Sequence, residues 1–216
     1  MDTMDVSADV APLASALLRE ATSADHESAE RSAFQRQLVG GNLPRALYGR
    51  FLGEMLHVWR ALDDAVAGLR ALAGFAPLVD PSRLRGPDLE RDLACLGIAA
   101  SARTTATAAL CDQLCAWGAE SPVSLAGALY VLEGSTNGGR FIARSVRRAY
   151  ALDGQTGTAF LDPYGEAQPV RWAEWKGALD AAVPGSVAAS LVPVARETFR
   201  AIEAIGAALL ASAAVP

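Results

Sequence analysis

Two histidines, His26 and His57, are the only imidazoles in a chain of 216 residues. Chemistry that needs a neutral nitrogen ligand or a base near pH 7 therefore has two places to reside. His26 stands in Arg19-Glu20-Ala21-Thr22-Ser23-Ala24-Asp25-His26-Glu27-Ser28-Ala29-Glu30. On a helix, Leu18, Thr22 and His26 follow at four-residue steps, so the imidazole shares the core-side face. One ring nitrogen can coordinate iron when the other is oriented by a partner. Glu30, one turn on, can reach that second nitrogen directly or through a water. Arg19, about two turns earlier, can meet an anionic group on the edge of a ligand. A structural histidine is the competing reading of the same residues. His57, in Met55-Leu56-His57-Val58-Trp59, belongs to an apolar stripe and reads as structural.

A second constellation is Leu129-Tyr130-Val131-Leu132-Glu133-Gly134-Ser135-Thr136-Asn137-Gly138-Gly139-Arg140-Phe141. Each glycine inside a helical pattern costs about 1 kcal/mol relative to alanine, so some contact must offset Gly134, Gly138 and Gly139. Glycines at this density strip side chains from a helix, which lets backbone approach a flat ligand closely. Tight helix–helix packing explains the same spacing. A phosphate loop does not, since no lysine-serine signature follows and no strand precedes. Arg140, Arg144, Arg147 and Arg148 come next at three- and four-residue spacing, as a solvated face or a docking surface for an acidic partner. Cys111 and Cys115 lie one turn apart but lack the further ligands of a metal site.

The elements that must position these residues read as helices. Apolar periodicity predicts helices over about 11–34, 45–72, 88–96, 102–118, 123–150, 170–182 and 187–211, the fifth interrupted by its glycines. No alternating strand pattern or repeat occurs. The expectation is a single all-α domain over residues 11–212 behind a disordered lead at residues 1–10. Composition agrees: alanine is abundant, and hydrophobic residues make up 51% against 20% charged, too apolar for a disordered chain. With 19 basic and 24 acidic residues the net charge is −5, which argues against nucleic acid as a partner. No uncharged run reaches the ~20 apolar residues of a membrane span. Three cysteines suggest no disulfide framework, and an acidic opening segment is unlike a secretory signal. A cytoplasmic protein is expected.

Together, LREATSADHESAE and LYVLEGSTNGGRFIARSV resemble the heme oxygenase family, most closely the bacterial members associated with bacteriophytochromes, and the likeness extends over about residues 11–212. The first segment is similar to the family's proximal helix, the second to its distal helix. The resemblance implies a helical bundle holding heme b between the two, with heme both cofactor and substrate. Dioxygen and electrons would convert it to biliverdin, carbon monoxide and ferrous iron. His26 would be the iron ligand and Glu30 its orienting partner. A neutral imidazole suits this chemistry better than a thiolate, which favours O–O cleavage. Arg19, Lys176 (the only lysine) and Arg171 fall where the family offers basic groups to the heme propionates. Gly134, Gly138 and Gly139 match the distal glycines, and Phe199 is placed to pack on the porphyrin. Ser135 departs from the animal pattern, in which an aspartate holds a distal water network; bacterial relatives with serine there exist. No glycine fingerprint for NAD or flavin follows a strand, so electrons would come from a ferredoxin- or flavin-type reductase. Biliverdin could feed a bacteriophytochrome pathway. A non-catalytic heme-binding or heme-transfer protein on the same fold is the alternative, and a helical protein with another small ligand a third reading.

Overall fold

The computed structural model describes residues 12–213; the disordered lead expected for residues 1–10 lies outside them. The helices are α1 (Ala14–Ala21), α2 (Ser23–Arg31), α3 (Ala33–Val39), α4 (Arg45–Ala65), α5 (Ala67–Arg70), α6 (Gly86–Leu96), α7 (Thr105–Glu120), α8 (Leu125–Gly134), α9 (Thr136–Tyr150), α10 (Gln168–Ala182) and α11 (Gly185–Ala213). Short 3-10 turns join some of them, and the described residues contain no strand. None of these helices is long and apolar enough to cross a membrane.

One hydrophobic core unites the helices. Its axis is α4, whose Leu47, Leu52, Met55, Leu56, Val58, Trp59 and Leu62 are buried at the three- and four-residue steps of a core-facing stripe. α4 packs on α6 and α7, while α11 lies against α1, α2, α3, α7 and α8. His57 ties α4 to the segment before α7, with Nε2 2.9 Å from the Ser101 carbonyl oxygen.

Three expected helices are subdivided: the 45–72 helix breaks at Val66 into α4 and α5, and in the other two, side chains that compete for backbone groups explain where. Thr22 Oγ1 donates to the Leu18 carbonyl at 2.7 Å, and its backbone relaxes to φ −105°, ψ 8°. Such back-bonding bends helices, so α1 and α2 meet at a kink. Ser32 then turns fully extended (φ −59°, ψ 152°), and its side chain caps α3 by accepting from the Gln35 amide. That cap restarts the helix, which carries it to Val39 rather than ending near Phe34. Ser135 separates α8 from α9 in the manner of Thr22, donating to the Leu132 carbonyl at 2.7 Å.

Candidate functional site

A cavity of about 760 Å³ opens between the α1–α3 segment and the α8–α9 segment, with α4, α10, α11 and residues 160–161 completing its walls. That volume lies within the range of cofactor and small-ligand sites. Phe34, Phe51, Met55, Val131, Ile142, Phe160, Leu161, Trp172, Phe199 and Ile202 give it a largely apolar lining.

His26 stands on one wall. None of the α2 residues is buried; Ala29 packs partly buried against the core, and polar contacts from α11 add to what holds the helix. Arg196 and Arg200 reach Asp25 at 3.4 and 3.5 Å, Arg196 donates to the Ala21 carbonyl at 2.7 Å, and Ser28 donates to Glu203 at 3.1 Å. The His26 side chain, 59% exposed, keeps Nδ1 3.7 Å from a Glu30 carboxylate oxygen. Phe199 meets the ring edge-on, with centroids 5.7 Å apart. At that distance the carboxylate lies beyond a direct hydrogen bond, yet with Nδ1 on the Glu30 side Nε2 is the nitrogen left able to bind a metal.

The α8–α9 kink forms the facing wall, and its glycines answer three different demands. A Cβ on Gly139 would collide with the carbonyl oxygen of Leu161, whereas one on Gly134 would meet the Trp172 ring in ordinary contact at 3.4 Å. A Cβ on Gly138 would meet nothing within 4 Å, yet Gly138 borders the cavity. Packing accounts for Gly139 alone. At Gly138 the missing side chain simply leaves backbone bare toward the cavity.

Polar groups around the kink are largely committed to it. Because Ser135 Oγ spends its hydrogen on Leu132, it faces a ligand or water as an acceptor. Asn137 donates to the Gly134 carbonyl at 2.9 Å and accepts from Gln168 at 3.2 Å. Gln168 also donates to Thr136 Oγ1 at 2.8 Å. Beneath the kink, buried Glu133 pairs with buried Arg83 at 2.7 Å and accepts from the Tyr164 hydroxyl at 2.9 Å. Burial, reinforced by the Glu133 charge, pushes the Tyr164 phenol up to about 12. Sequence reasoning missed this network. Its one local signal was a lone carboxylate in an otherwise apolar α8.

Among the expected site residues, the structure gathers Arg19, His26, Glu30, Gly134, Ser135, Gly138, Gly139 and Phe199 around this one cavity. Arg19 is joined by Tyr130, whose phenol is raised by burial and partly lowered again by the Arg19 charge. Lys176 does not line the cavity; its Nζ lies 5.7 Å from the centroid of Trp172, a ring that does. Arg171 is not brought to the cavity. It donates to Ser82 Oγ at 2.7 Å, pairs with Glu174 and borders a separate surface groove with Pro81 and Tyr164. The cause is helical register: consecutive residues diverge by about 100°, so with Trp172 at the cavity its predecessor faces elsewhere, while Lys176, four residues on, shares the face of Trp172. Tyr130, Trp172, Phe160 and Leu161 were not among the expected site residues, because nothing in their local pattern separates cavity lining from core.

A search of curated proteins by sequence returns no match. Solved structures match closely in fold. Heme oxygenase from Leptospira interrogans superposes with a TM-score of 0.84 at 24% identity, covering 91% of this chain and 100% of that one. Heme oxygenase-1 from the cyanobacterium Synechocystis, in complex with heme, gives 0.83 at 20% identity over 94% of this chain and 97% of that one. Heme oxygenase-2 from Synechocystis, in complex with heme and NO, gives 0.84 at 20% identity over 94% and 88%. These likenesses are of fold. The family model described as heme oxygenase matches residues 12–205, nearly the whole chain, and with an imidazole facing a glycine-stripped helical kink inside that fold, the chain belongs to the heme oxygenase family.

Proposed function

We propose that this protein binds heme b between His26 and the α8–α9 kink and cleaves it oxidatively to biliverdin, carbon monoxide and ferrous iron. The observation that carries the proposal is the pairing of two unlike walls across one apolar cavity. One presents an imidazole with Nδ1 turned to a carboxylate, the other a stretch of helix bare at Gly138. The donor set fits the group: a neutral nitrogen for iron, aromatic and aliphatic walls for the macrocycle, and Arg19 for a propionate. Bound heme supplies the redox-active iron and is itself the molecule consumed, with dioxygen and reductase-derived electrons as co-substrates.

The chain's own residues bind, orient and hold water. Glu30, with a carboxylate oxygen 3.7 Å from Nδ1, biases the His26 ring toward presenting Nε2 to the cavity. Phe199 restrains rotation of that ring by edge-on packing. The Gly138 backbone admits a flat ligand at close range, and the aromatic lining excludes bulk water. Ser135 Oγ, already donating to Leu132, offers lone pairs to an ordered water on the distal side. Arg144 and Arg148 are exposed on α9, with Arg144 5.8 Å from the ring centroid of Phe141, itself 61% exposed; they form the docking face for an acidic ferredoxin- or flavin-type reductase. Arg147 is withdrawn from that face by Thr158 and Asp162.

Hemin titration followed by ascorbate or a reductase tests the proposal. Wild type should develop an imidazole-ligated Soret band that decays into biliverdin absorbance. His26→Ala should lose that spectrum, and added imidazole should restore it. An unchanged Soret band and turnover in His26→Ala would overturn the assignment of the ligand. Stable heme without biliverdin in wild type would make the protein a carrier.

A further inference from the structure

The wall opposite His26 includes a segment with no helix of its own. Residues 154–164 run as successive turns and bends between α9 and α10, yet Thr158, Ala159, Phe160 and Leu161 are all buried. Phe160 and Leu161 line the cavity, and the Leu161 carbonyl occupies the space that a Gly139 side chain would need. The segment is thus a wedge against the bare face of α9. Buried irregular backbone requires partners for its N–H groups, and they come from α6. Asp92, 1% exposed, accepts from the Ala159 amide at 2.9 Å through one carboxylate oxygen and from the Phe160 amide at 2.8 Å through the other. Tyr48 and Arg147 hold neighbouring points, at the Gly157 carbonyl and Thr158 Oγ1.

We propose that Asp92 is a positioning residue for the distal wall: by pinning two consecutive amides it sets where Phe160 and the Leu161 carbonyl stand, and through them the placement of the Gly138–Gly139 backbone. Its effect on heme rests on the functional reading above; the pinning does not. Asp92 touches no cavity ligand, acting only through the segment it holds. The groups around it are Asp88 and Arg91 on its own helix and Tyr48 from α4, with Arg147 on α9 beyond. Burial pushes the Asp92 carboxyl up to about 6 against the pull of its two amide donors. Opening of the segment hydrates the carboxylate and returns it to the ordinary range, so ionisation favours opening.

Amide hydrogen exchange on the hemin-free chain tests the pin. Asp92→Ala leaves two buried N–H groups without acceptors, so exchange at Ala159 and Phe160 should accelerate by about tenfold or more. The Gly139 amide on α9 should accelerate with them, and α7 amides such as Leu110 should not. Asp92→Asn keeps one acceptor oxygen but sets an NH2 donor against the other amide, whereas a protonated carboxyl keeps lone pairs on both oxygens, so the variant should restore only part of the protection. In wild type, protection at Ala159 and Phe160 should rise as pH falls through about 6, and Asp92→Asn should abolish that dependence. Should Asp92→Ala fail to fold, Asp92→Asn and the wild-type pH series decide the matter. Unaltered Gly139 exchange in the variants would overturn the proposal, whatever happens at Ala159. On hemin-loaded protein, azide affinity should change by about tenfold in Asp92→Asn while hemin still binds; equal azide affinity would also overturn it. Failure of wild type to take up hemin would instead sink the functional reading, with the exchange arm still deciding the pin.

Discussion

Gly138 and Gly139 are neighbours on one helix, and replacing each by alanine should move stability in opposite directions. Alanine at either position gains about 1 kcal/mol in helix propensity over glycine. Neither glycine has positive φ, so no backbone strain offsets that gain. At Gly138 the new methyl meets nothing within 4 Å, and the ligand-free protein should be stabilised by up to about 1 kcal/mol, raising Tm by about 2–4 °C for a domain of this size. At Gly139 the methyl runs into the Leu161 carbonyl, which belongs to a segment pinned by Asp92 and cannot easily retreat. Overpacking costs about 1–3 kcal/mol, and the contact is close enough to fall in the upper part of that range, so after the propensity gain Gly139→Ala should lose up to about 2 kcal/mol. Hemin affinity separates the pair again. Gly138→Ala projects its methyl into the cavity and should weaken hemin binding or slow turnover despite its higher Tm. The assays are thermal and urea denaturation of the ligand-free chain, then hemin titration. A Gly139→Ala protein as stable as Gly138→Ala would refute the close approach of α9 to Leu161. A Gly138→Ala protein with wild-type hemin affinity and turnover would refute the role given to bare backbone at that position.

Arg19→Gln should lower hemin affinity by about tenfold through loss of one charge-assisted contact, while Arg171→Gln should leave it unchanged; hemin titration of both compares a cavity residue with one held elsewhere by Ser82. Glu133→Gln removes the charge paired with buried Arg83, leaving it the Arg171 carbonyl and Glu174 at 3.7 Å, and should cost about 1–3 kcal/mol in urea denaturation. Glu133→Leu combined with Arg83→Met should cost clearly less than the two single changes added together. Asp92 makes stability pH-dependent with a definite sign. Its folded-state carboxyl, up at about 6, holds a proton that the unfolded chain releases near 4, so its contribution is present at low pH and lost as pH rises through 6. Full integration of that difference amounts to about 3 kcal/mol, and urea midpoints at pH 5 and pH 7.5 should show the slope flattened in Asp92→Asn.

Much of the fold was legible because α-helical periodicity is local. The stripe along α4 and the apolar spacing of α7, α10 and α11 put those helices close to where they stand. The misreadings were at joints. A run from residue 11 to 34 looks continuous when only apolar spacing is considered; Thr22 and Ser32 divide it because their hydroxyls engage backbone groups. In the site, the residues carried by two short motifs converged, and Arg171 did not. A motif fixes spacing along one helix, but the direction of a residue on another helix depends on that helix's rotation. Lys176 and Arg171 lie on the same α10, and Trp172 decides which of them stands near the cavity.

By itself the sequence determined the class of structure and the chemistry on offer. Its helical periodicity, two imidazoles, a carboxylate one turn from one of them, and a glycine-rich segment about a hundred residues later are all properties of short stretches, governed by local geometry and side-chain type. Only the tertiary structure decided what each glycine is for, since Gly138 and Gly139 differ solely in what faces them: open cavity in one case and the Leu161 carbonyl in the other. The same holds for Asp92 and Glu133, one bound to amides 67 and 68 positions away and the other to a guanidinium 50 positions away. Such contacts link residues that no periodicity relates, because burial brings distant polar groups together and leaves each to be satisfied by whichever partner the packing supplies.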